Sequence, residues 1–350
     1  MCNGSVVAFP PRVLSFLPTD ATTSGAIHEM DITMNIQAVG PSKARLSLKT
    51  TCNVLTVCAL SGAVLQSSQA GAPIVTAETA VSSATELPPP DLLRAESTFT
   101  STGSYRDKSL GHSESSDVDV TYSHRFHLQD SWYLRAGAEY ERFGFGGTAN
   151  GLPSQLQSVS ASLALQYMVR NHVALGIEVH PGFYFQNNIR SDSFDIPWRI
   201  YTAIPIVDRK FYVVIGAAGA MNQHPLVLPV GGFVWIWTDK LRLEAVVPKP
   251  AIVYEPNKQW EFRLGGEIAG GDFRTDNLLI NNTNVRLNNA IVQYVEYRTG
   301  VKAAYTGFKH VELSVGAGYS LGRQMNFYRV GFQANTDGGE YCQLACGIKF

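Results

Sequence analysis

Three short stretches carry charge at a fixed beat: Arg135-x-Gly137-x-Glu139, Arg263-x-Gly265-x-Glu267 and Arg298-x-Gly300-x-Lys302. Successive side chains on a β-strand point to opposite faces, so a spacing of two puts each set on one face. The intervening glycine leaves room for the long side chains to lie along a wall. The same row collects Glu141, Glu178, His180, Arg199, Arg242, Glu244, Glu261, Glu296 and Glu312 elsewhere in the chain. Both signs are interleaved. An unpaired charge in a narrow space is costly, so these groups are expected to pair across strands. Such a lining fits a passage for polar solutes, or an interior simply filled by an Arg–Glu network. The residues leave both open.

Other chemistry finds little footing. The histidines His112, His124, His127, His172, His180, His224 and His310 are scattered, and no Gly-x-Ser-x-Gly elbow accompanies them. His180, two residues from Glu178 on one face, is the single pairing of interest, and a plain hydrogen bond accounts for it. A hydrolase at the rim of a barrel is therefore the least favoured reading, and no enzymatic activity is expected. Asp117 and Asp119 share a row without further metal ligands and read as a solvated strand face. No metal, nucleotide or other cofactor is expected. A net charge of −1, with no basic block, gives no reason to expect nucleic acid as a partner.

The elements that carry these residues follow from period-two alternation. Trp132, Leu134, Ala136, Ala138 and Tyr140 form an apolar row against Tyr133, Arg135, Gly137 and Glu139. The segments 173–185, 260–268 and 311–319 repeat the pattern. Alternation over nine or more residues predicts strands. Charged residues are 16% of the 350, below the usual quarter, and the 31 glycines and 11% aromatics suit an all-β protein. Tight turns near 127–130, 169–171, 207–210, 238–240, 256–258 and 306–309 mostly alternate with longer loops at 105–114, 143–154, 187–194, 272–285 and 322–338. The expected fold is an up-and-down antiparallel transmembrane β-barrel of about 14 strands. If the proline-broken "VVPKPAIVY" is one bent strand, the number becomes 12.

The N-terminal third is read separately. Lys43, Arg45 and Lys49 precede an uncharged run from Cys52 to Leu65, and Ser68-Gln69-Ala70 is a small-x-small cleavage site. Residues 34–70 are therefore expected to be a cleaved signal peptide. Residues 1–33 would be an overrun ahead of the true start at Met34, or a disordered extension. Residues 71–93, with "ELPPPDLL", would be a linker or short plug, and 94–350 the barrel. Cys342 and Cys346 lie four residues apart on one strand face, roughly 13 Å between Cα atoms, too far for a disulfide with each other.

Export, and an apolar row almost free of charge, favour lipid rather than core for the greasy face. A Lys or Arg facing lipid at the midplane would cost about 2–4 kcal/mol. Phe126, Trp132, Tyr167, Phe211, Tyr212, Trp237, Trp260, Tyr305, Phe308 and Phe350 cluster near the tight turns, as an interfacial aromatic belt would.

The last residues, "EYCQLACGIKF", place Phe350, Ile348, Cys346, Leu344 and Cys342 on one row. This segment resembles the C-terminal signature of bacterial outer-membrane β-barrel proteins, a final aromatic preceded by alternating apolar residues. Ile348 departs from the Tyr many members carry there. "EAVVPKPAIVY" followed by "NKQWEFRLGGEIAGGDFR" also resembles outer-membrane barrels grouped only as domains of unknown function. The resemblance implies an outer-membrane location, lipid as surroundings and the barrel-assembly machinery as a partner of the terminal strand. It implies no ligand. The function expected is a channel or transporter for small solutes, amphipathic ones included, with a mixed-charge lumen. The alternative is a structural or surface-interaction barrel with a filled lumen and binding loops at 143–154, 272–285 and 322–338. Oligomeric state is left open.

Overall fold

A computed structural model of the chain describes residues 90–147, 151–169, 173–207, 210–280 and 285–350. The expected extension, signal peptide and most of the proline segment lie outside these residues, as does His172. The strands run in the order β1 (Asp91–Ser104), β2 (His112–Gln129), β3 (Trp132–Gly146), β4 (Gln155–Tyr167), β5 (Ala174–Val179), β6 (Gly182–Phe185), β7 (Phe194–Asp195), β8 (Trp198–Val207), β9 (Phe211–Gly219), β10 (Val227–Thr238), β11 (Leu241–Val246), β12 (Ala251–Asn257), β13 (Trp260–Arg274), β14 (Leu278–Leu279), β15 (Arg286–Leu287), β16 (Ile291–Tyr305), β17 (Val311–Phe327), β18 (Phe332–Thr336) and β19 (Gly339–Lys349). The first strand takes in Asp91, Leu92 and Leu93, ahead of the boundary read from the sequence.

Three staves of the barrel are each made of two strands. β5 and β6 both pair with β4, β7 and β8 continue one another beside them, and β18 and β19 both pair with β17. Pro181 and Pro197 explain two of the breaks. Neither can donate to the ladder, and they sit side by side, with the His180 N–H reaching the Pro197 carbonyl at 2.8 Å. β14 and β15 form a small ladder of their own. Counted this way there are fourteen antiparallel staves, and β1 pairs with β19 to close the ring. The "VVPKPAIVY" segment is two short strands, β11 and β12, so fourteen rather than twelve is the number.

The start of β1 and the C-terminal Phe350 lie at one end of the barrel. Asp91 and Phe350 exchange backbone hydrogen bonds there, at 3.2 and 3.3 Å. The turns at 130–131, 239–240, 258–259 and 306–310 share this turn end, as do the end of β4 and the start of β5, and the end of β8 and the start of β9. The opposite, loop end carries the longer connections. One expectation fails here: 322–338 is not a long loop. β17 runs on to Phe327 and β18 returns from Phe332, so the segment is a strand hairpin. Its alternation is disguised by a bulge at Leu321, where the register against β16 slips.

The apolar row faces outward. Val159, Leu163, Leu165, Ile177, Ile200, Ile215, Leu264, Val301, Val315 and Leu344 are all exposed, although they are large and aliphatic. A ring of exposed aromatics circles the turn end: Phe126, Trp132, Trp237, Trp260, Phe308 and Phe350. Trp132 packs on Tyr167 at 5.2 Å and Trp260 on Tyr305 at 4.8 Å between ring centroids. Tyr212 is the exception among the expected belt residues. It is fully buried and faces inward, because it stands one position from the outward-leaning Phe211. Cys342 and Cys346 are free and lie on the outward row of β19.

The wall is uneven. β11 and β12 have only six and seven residues, while β13 next to them has fifteen. Their hairpin tip reaches β13 through Gly266 N–H to Pro250 O and Ile268 N–H to Pro248 O. Beyond the tip, Val227–Val230 of β10 pair only with β9, and Ala269–Phe273 of β13 only with β16. This leaves a seam without interstrand hydrogen bonds, roughly 14–17 Å tall at the usual rise per residue. At its top, Arg274 of β13 bridges in parallel to Phe185 of β6, two staves that are not neighbours lower down. The loop end is thereby pinched.

Candidate functional site

The candidate site is the barrel interior, and the inward rows of the staves build it. Near the turn end, Arg242 on β11 is the hub. Its Nε donates to Glu244 at 2.7 Å, its Nη2 to Glu261 at 3.2 Å, and its Nη1 meets Glu255. Arg263 on β13 joins Glu261, at 3.0 Å, to Glu244. Glu312 pairs with Lys349 at 2.8 Å on the rim.

One layer further in, Glu96 on β1 receives Arg94 at 2.8 Å, Lys302 at 3.2 Å and the amide of Gln343 at 2.7 Å. Lys249, at the tip of the short hairpin, reaches Glu267 at 2.5 Å. Arg298 spans Glu296 at 2.7 Å and Asp117 at 3.1 Å. On the far wall Arg199 holds Glu178 at 2.5 Å. His180, fully buried, faces Glu139 with Nδ1 at 3.1 Å and Glu178 with Nε2 at 3.3 Å. The imidazole thus stands between two carboxylates rather than against a hydroxyl, a bracing arrangement. Arg135 lies on the same row of β3, below Glu139 and Glu141, and Glu141 faces Asp119 across the β2–β3 pair. The acids of β2 and β3 therefore oppose the bases of β13 and β16. A cavity of about 100 Å³ opens among Arg94, Glu96, Lys249, Glu267, Lys302 and Gln343.

Of the fifteen charged residues of this row, thirteen make the ion pairs just named, and Arg135 and Glu141 are placed by register. Asp117 and Asp119 do not form a solvated strand face: they point into this interior, where Asp117 meets Arg298. Arg94, Glu96, Lys249 and Glu255 escaped the sequence reading. Lys249 carried a usable signal, since a lysine locked between two prolines at a hairpin tip has a fixed direction.

Toward the loop end the inward rows change chemistry. Phe143 and Phe145 on β3, Leu156 on β4, Tyr184 on β6, Phe273 on β13, Tyr294 on β16 and Phe327 on β17 form a buried apolar core. Phe143 lies 4.9 Å from Tyr294 and 6.0 Å from Phe273, centroid to centroid. The β14–β15 hairpin adds Ile280 and Leu287, both fully buried. Gly151, at φ +83°, lets its own backbone lie against this hairpin: a Cβ there would fall 2.1 Å from the Leu279 carbonyl oxygen. This core crowds the inner side of the staves at the loop end.

No family model matches the sequence, and no curated protein matches it. Solved structures do resemble it. An outer membrane channel from Pseudomonas putida F1 is 12% identical, with 76% of this chain and 98% of that one covered and a TM-score of 0.43. The Pseudomonas putida toluene transporter TodX is 11% identical over 81% of this chain and 95% of its own, at a TM-score of 0.34. LpxR from Salmonella typhimurium is 11% identical over 74% and 100%, at 0.36. The likeness is one of fold.

A second buried cluster lines the inner wall below the seam. Ala174, Tyr201, Ala203, Tyr212, Val214, Val234 and Val246 come from β5, β8, β9, β10 and β11. The interior therefore offers an apolar surface as well as charge, and the two meet on β5, β8 and β11. Among the described residues no group of three or more His, Cys, Asp or Glu side chains is placed to hold a metal ion.

Proposed function

We propose that this chain is an outer-membrane barrel that passes small amphipathic solutes between its charged chamber and the seam in its wall. The observation that carries the reading is the seam beside an apolar, crowded loop end: Val227–Val230 and Ala269–Phe273 lack strand partners on the sides that face each other, and on this reading the buried core closes the axis there. A wall parts most readily where no ladder of hydrogen bonds laces it. An interior that carries both charged and apolar surface suits a solute with both characters. The exposed aliphatic band and the aromatic ring at the turn end support a membrane setting. We propose likewise that the terminal strand, with Leu344, Cys346, Ile348 and Phe350 outward, is the segment the assembly machinery reads.

Liposome uptake tests the route. Vesicles carrying the folded protein should take up a short alkyl sulfonate several-fold faster than protein-free vesicles, while a neutral hexose stays at background. Planar bilayers should show no steady ion conductance. Equal rates for both solutes, or none for either, would overturn the reading.

The membrane setting has its own test. Leu163→Arg puts a guanidinium on the exposed band of β4 and should cost about 2–4 kcal/mol in vesicle-embedded protein. The inward Ser162→Arg change addresses the other face. A Leu163→Arg penalty below about 0.5 kcal/mol, the ordinary size of a surface substitution, would remove lipid from that face.

A further inference from the structure

Near the turn end, the inward rows of β2, β3 and β4 carry a pair of bases that takes no part in the ion pairs of the chamber. Arg125 and Arg135 stand directly opposite each other across the β2–β3 ladder. Side chains so placed start about 5 Å apart, and like charges there repel. Neither base has an ion-pair partner among the described residues. Each keeps a buried nitrogen without an acceptor, Nη1 of Arg125 and Nε of Arg135. The acids further along are committed: Glu139, four residues on from Arg135, meets His180, and Glu178 is held by Arg199. Between Arg135 and Glu139 the rung at Gly137 carries only Ser123 and Ser162 on the flanking strands.

Arg125 is steadied without using its donors. Its guanidinium carbon lies 5.1 Å from the centre of the Tyr133 ring. That contact takes the face of the group and leaves its N–H edge free. On the other flank, β4 sets Ala164 opposite Arg135 and Gln166 opposite Tyr133, so Gln166 is diagonal to Arg135. Gln166 is 2% exposed, gives Nε2 to Tyr201 Oη at 3.3 Å, and has no donor for its buried Oε1. A half-turn of this amide lets it accept from Tyr201 Oη and present an N–H in place of that oxygen. Tyr201 in turn belongs to the buried apolar cluster on β5, β8, β9, β10 and β11.

We propose that Arg125 and Arg135 bind the anionic head of a small organic solute, a carboxylate or sulfonate, with Gln166 beside it and the solute's apolar body toward Tyr201. An anion between the two bases replaces their repulsion by two attractions. A guanidinium edge matches a pair of acceptor oxygens, which a chloride ion lacks. The inference deepens the transport reading by giving the charge of the solute's head, and it rests on that reading for the solute's passage. The binding is measured without vesicles, so the two can fail separately.

The test uses the full-length protein refolded in detergent, with protein-free micelles as the blank. Equilibrium dialysis against sodium pentanesulfonate should show saturable binding. Pentanol and pentyltrimethylammonium, which share the tail, should bind at least about tenfold more weakly. Arg125→Gln and Arg135→Gln should each weaken sulfonate binding about tenfold or more. The ligand-free variants should unfold at the wild-type temperature or above it, because each removes half of a repelling pair. A purely structural role would lower that temperature instead. Arg135→Lys keeps the charge and loses the fork, and should fall between wild type and Arg135→Gln. A wild type that binds pentanesulfonate no better than pentanol, or a double glutamine variant that binds within about twofold of wild type, overturns the proposal. Binding that stays intact while vesicle uptake fails supports the proposal and overturns the transport reading alone.

Discussion

Arg298→Met should lower the stability of the folded barrel by about 3–5 kcal/mol, the usual cost of stranding buried charges. Arg298 is 3% exposed and sits between Glu296, at 2.7 Å, and Asp117, at 3.1 Å. Glu296 is fully buried and accepts two further hydrogen bonds, from Thr100 Oγ1 and Tyr294 Oη, both at 3.0 Å. Methionine fills much the same space and brings no charge. Two carboxylates would then face each other's field in a site with little water. Removing all three charges together, as Arg298→Met with Glu296→Gln and Asp117→Asn, should recover most of the loss, because replacing a whole buried ion cluster by neutral groups is often close to neutral. Urea unfolding in vesicles, followed by tryptophan fluorescence, measures both. A single variant that loses under about 1 kcal/mol, or a triple variant no better than the single, would show that this cluster does not organise the interior.

The contrast between those two variants also says what the sequence could reveal. Period two assigns the charged row to the face opposite the apolar one, because β-strand geometry leaves no other choice once the apolar row is known. Trp132, Leu134 and Ala136 look outward, so Arg135 and Gly137 look in. What alternation cannot give is the partner. Asp117 and Arg298 are 181 residues apart in the chain, and only closure of the ring by β1 and β19 brings β2 near β16. Asp117 and Asp119 therefore looked like a solvated pair. The seal was hidden for a different reason. In β16, Ile291 to Val295 are all buried on both faces, because the pinched loop end surrounds the strand. A run buried on both sides loses its alternation. The segment 322–338 looked like a loop for another reason, the bulge at Leu321 that shifts its row. Lys249 was legible in principle, since its two prolines fix the hairpin tip, but its aim toward Glu267 depends on how short β11 and β12 are relative to β13.

Opening the seal should have the largest effect on conduction. Phe143→Ala with Tyr294→Ala should convert a silent barrel into one with discrete ion-current steps in planar bilayers. Both side chains are fully buried, their rings are 4.9 Å apart, and Phe145 closes on Tyr294 from the other side at 5.0 Å. Truncating a buried aromatic costs about 3–5 kcal/mol alone, and two in contact cost less than the sum, since they share one cavity. The new void is not a dry one. It adjoins Glu296, which loses the Tyr294 hydroxyl and gains reason to recruit water. Water continuous from the charged chamber to the loops is what an ion needs. Tyr294→Phe separates packing from polarity: it removes only the bond to Glu296, about 1.5–3 kcal/mol for a charged acceptor, and leaves the ring in place. It should destabilise the barrel without opening it. Phe143→Leu, a smaller truncation that folds more safely, should give rare and brief openings. If the double variant folds, by the same fluorescence criterion, and still passes no current, then the β14–β15 hairpin alone closes the axis and the aromatic core is packing rather than seal. The alkyl sulfonate uptake of the double variant completes the logic. A solute that leaves through the seam does not use the sealed axis, so its rate should stay near that of the wild type while the hexose, silent before, begins to cross.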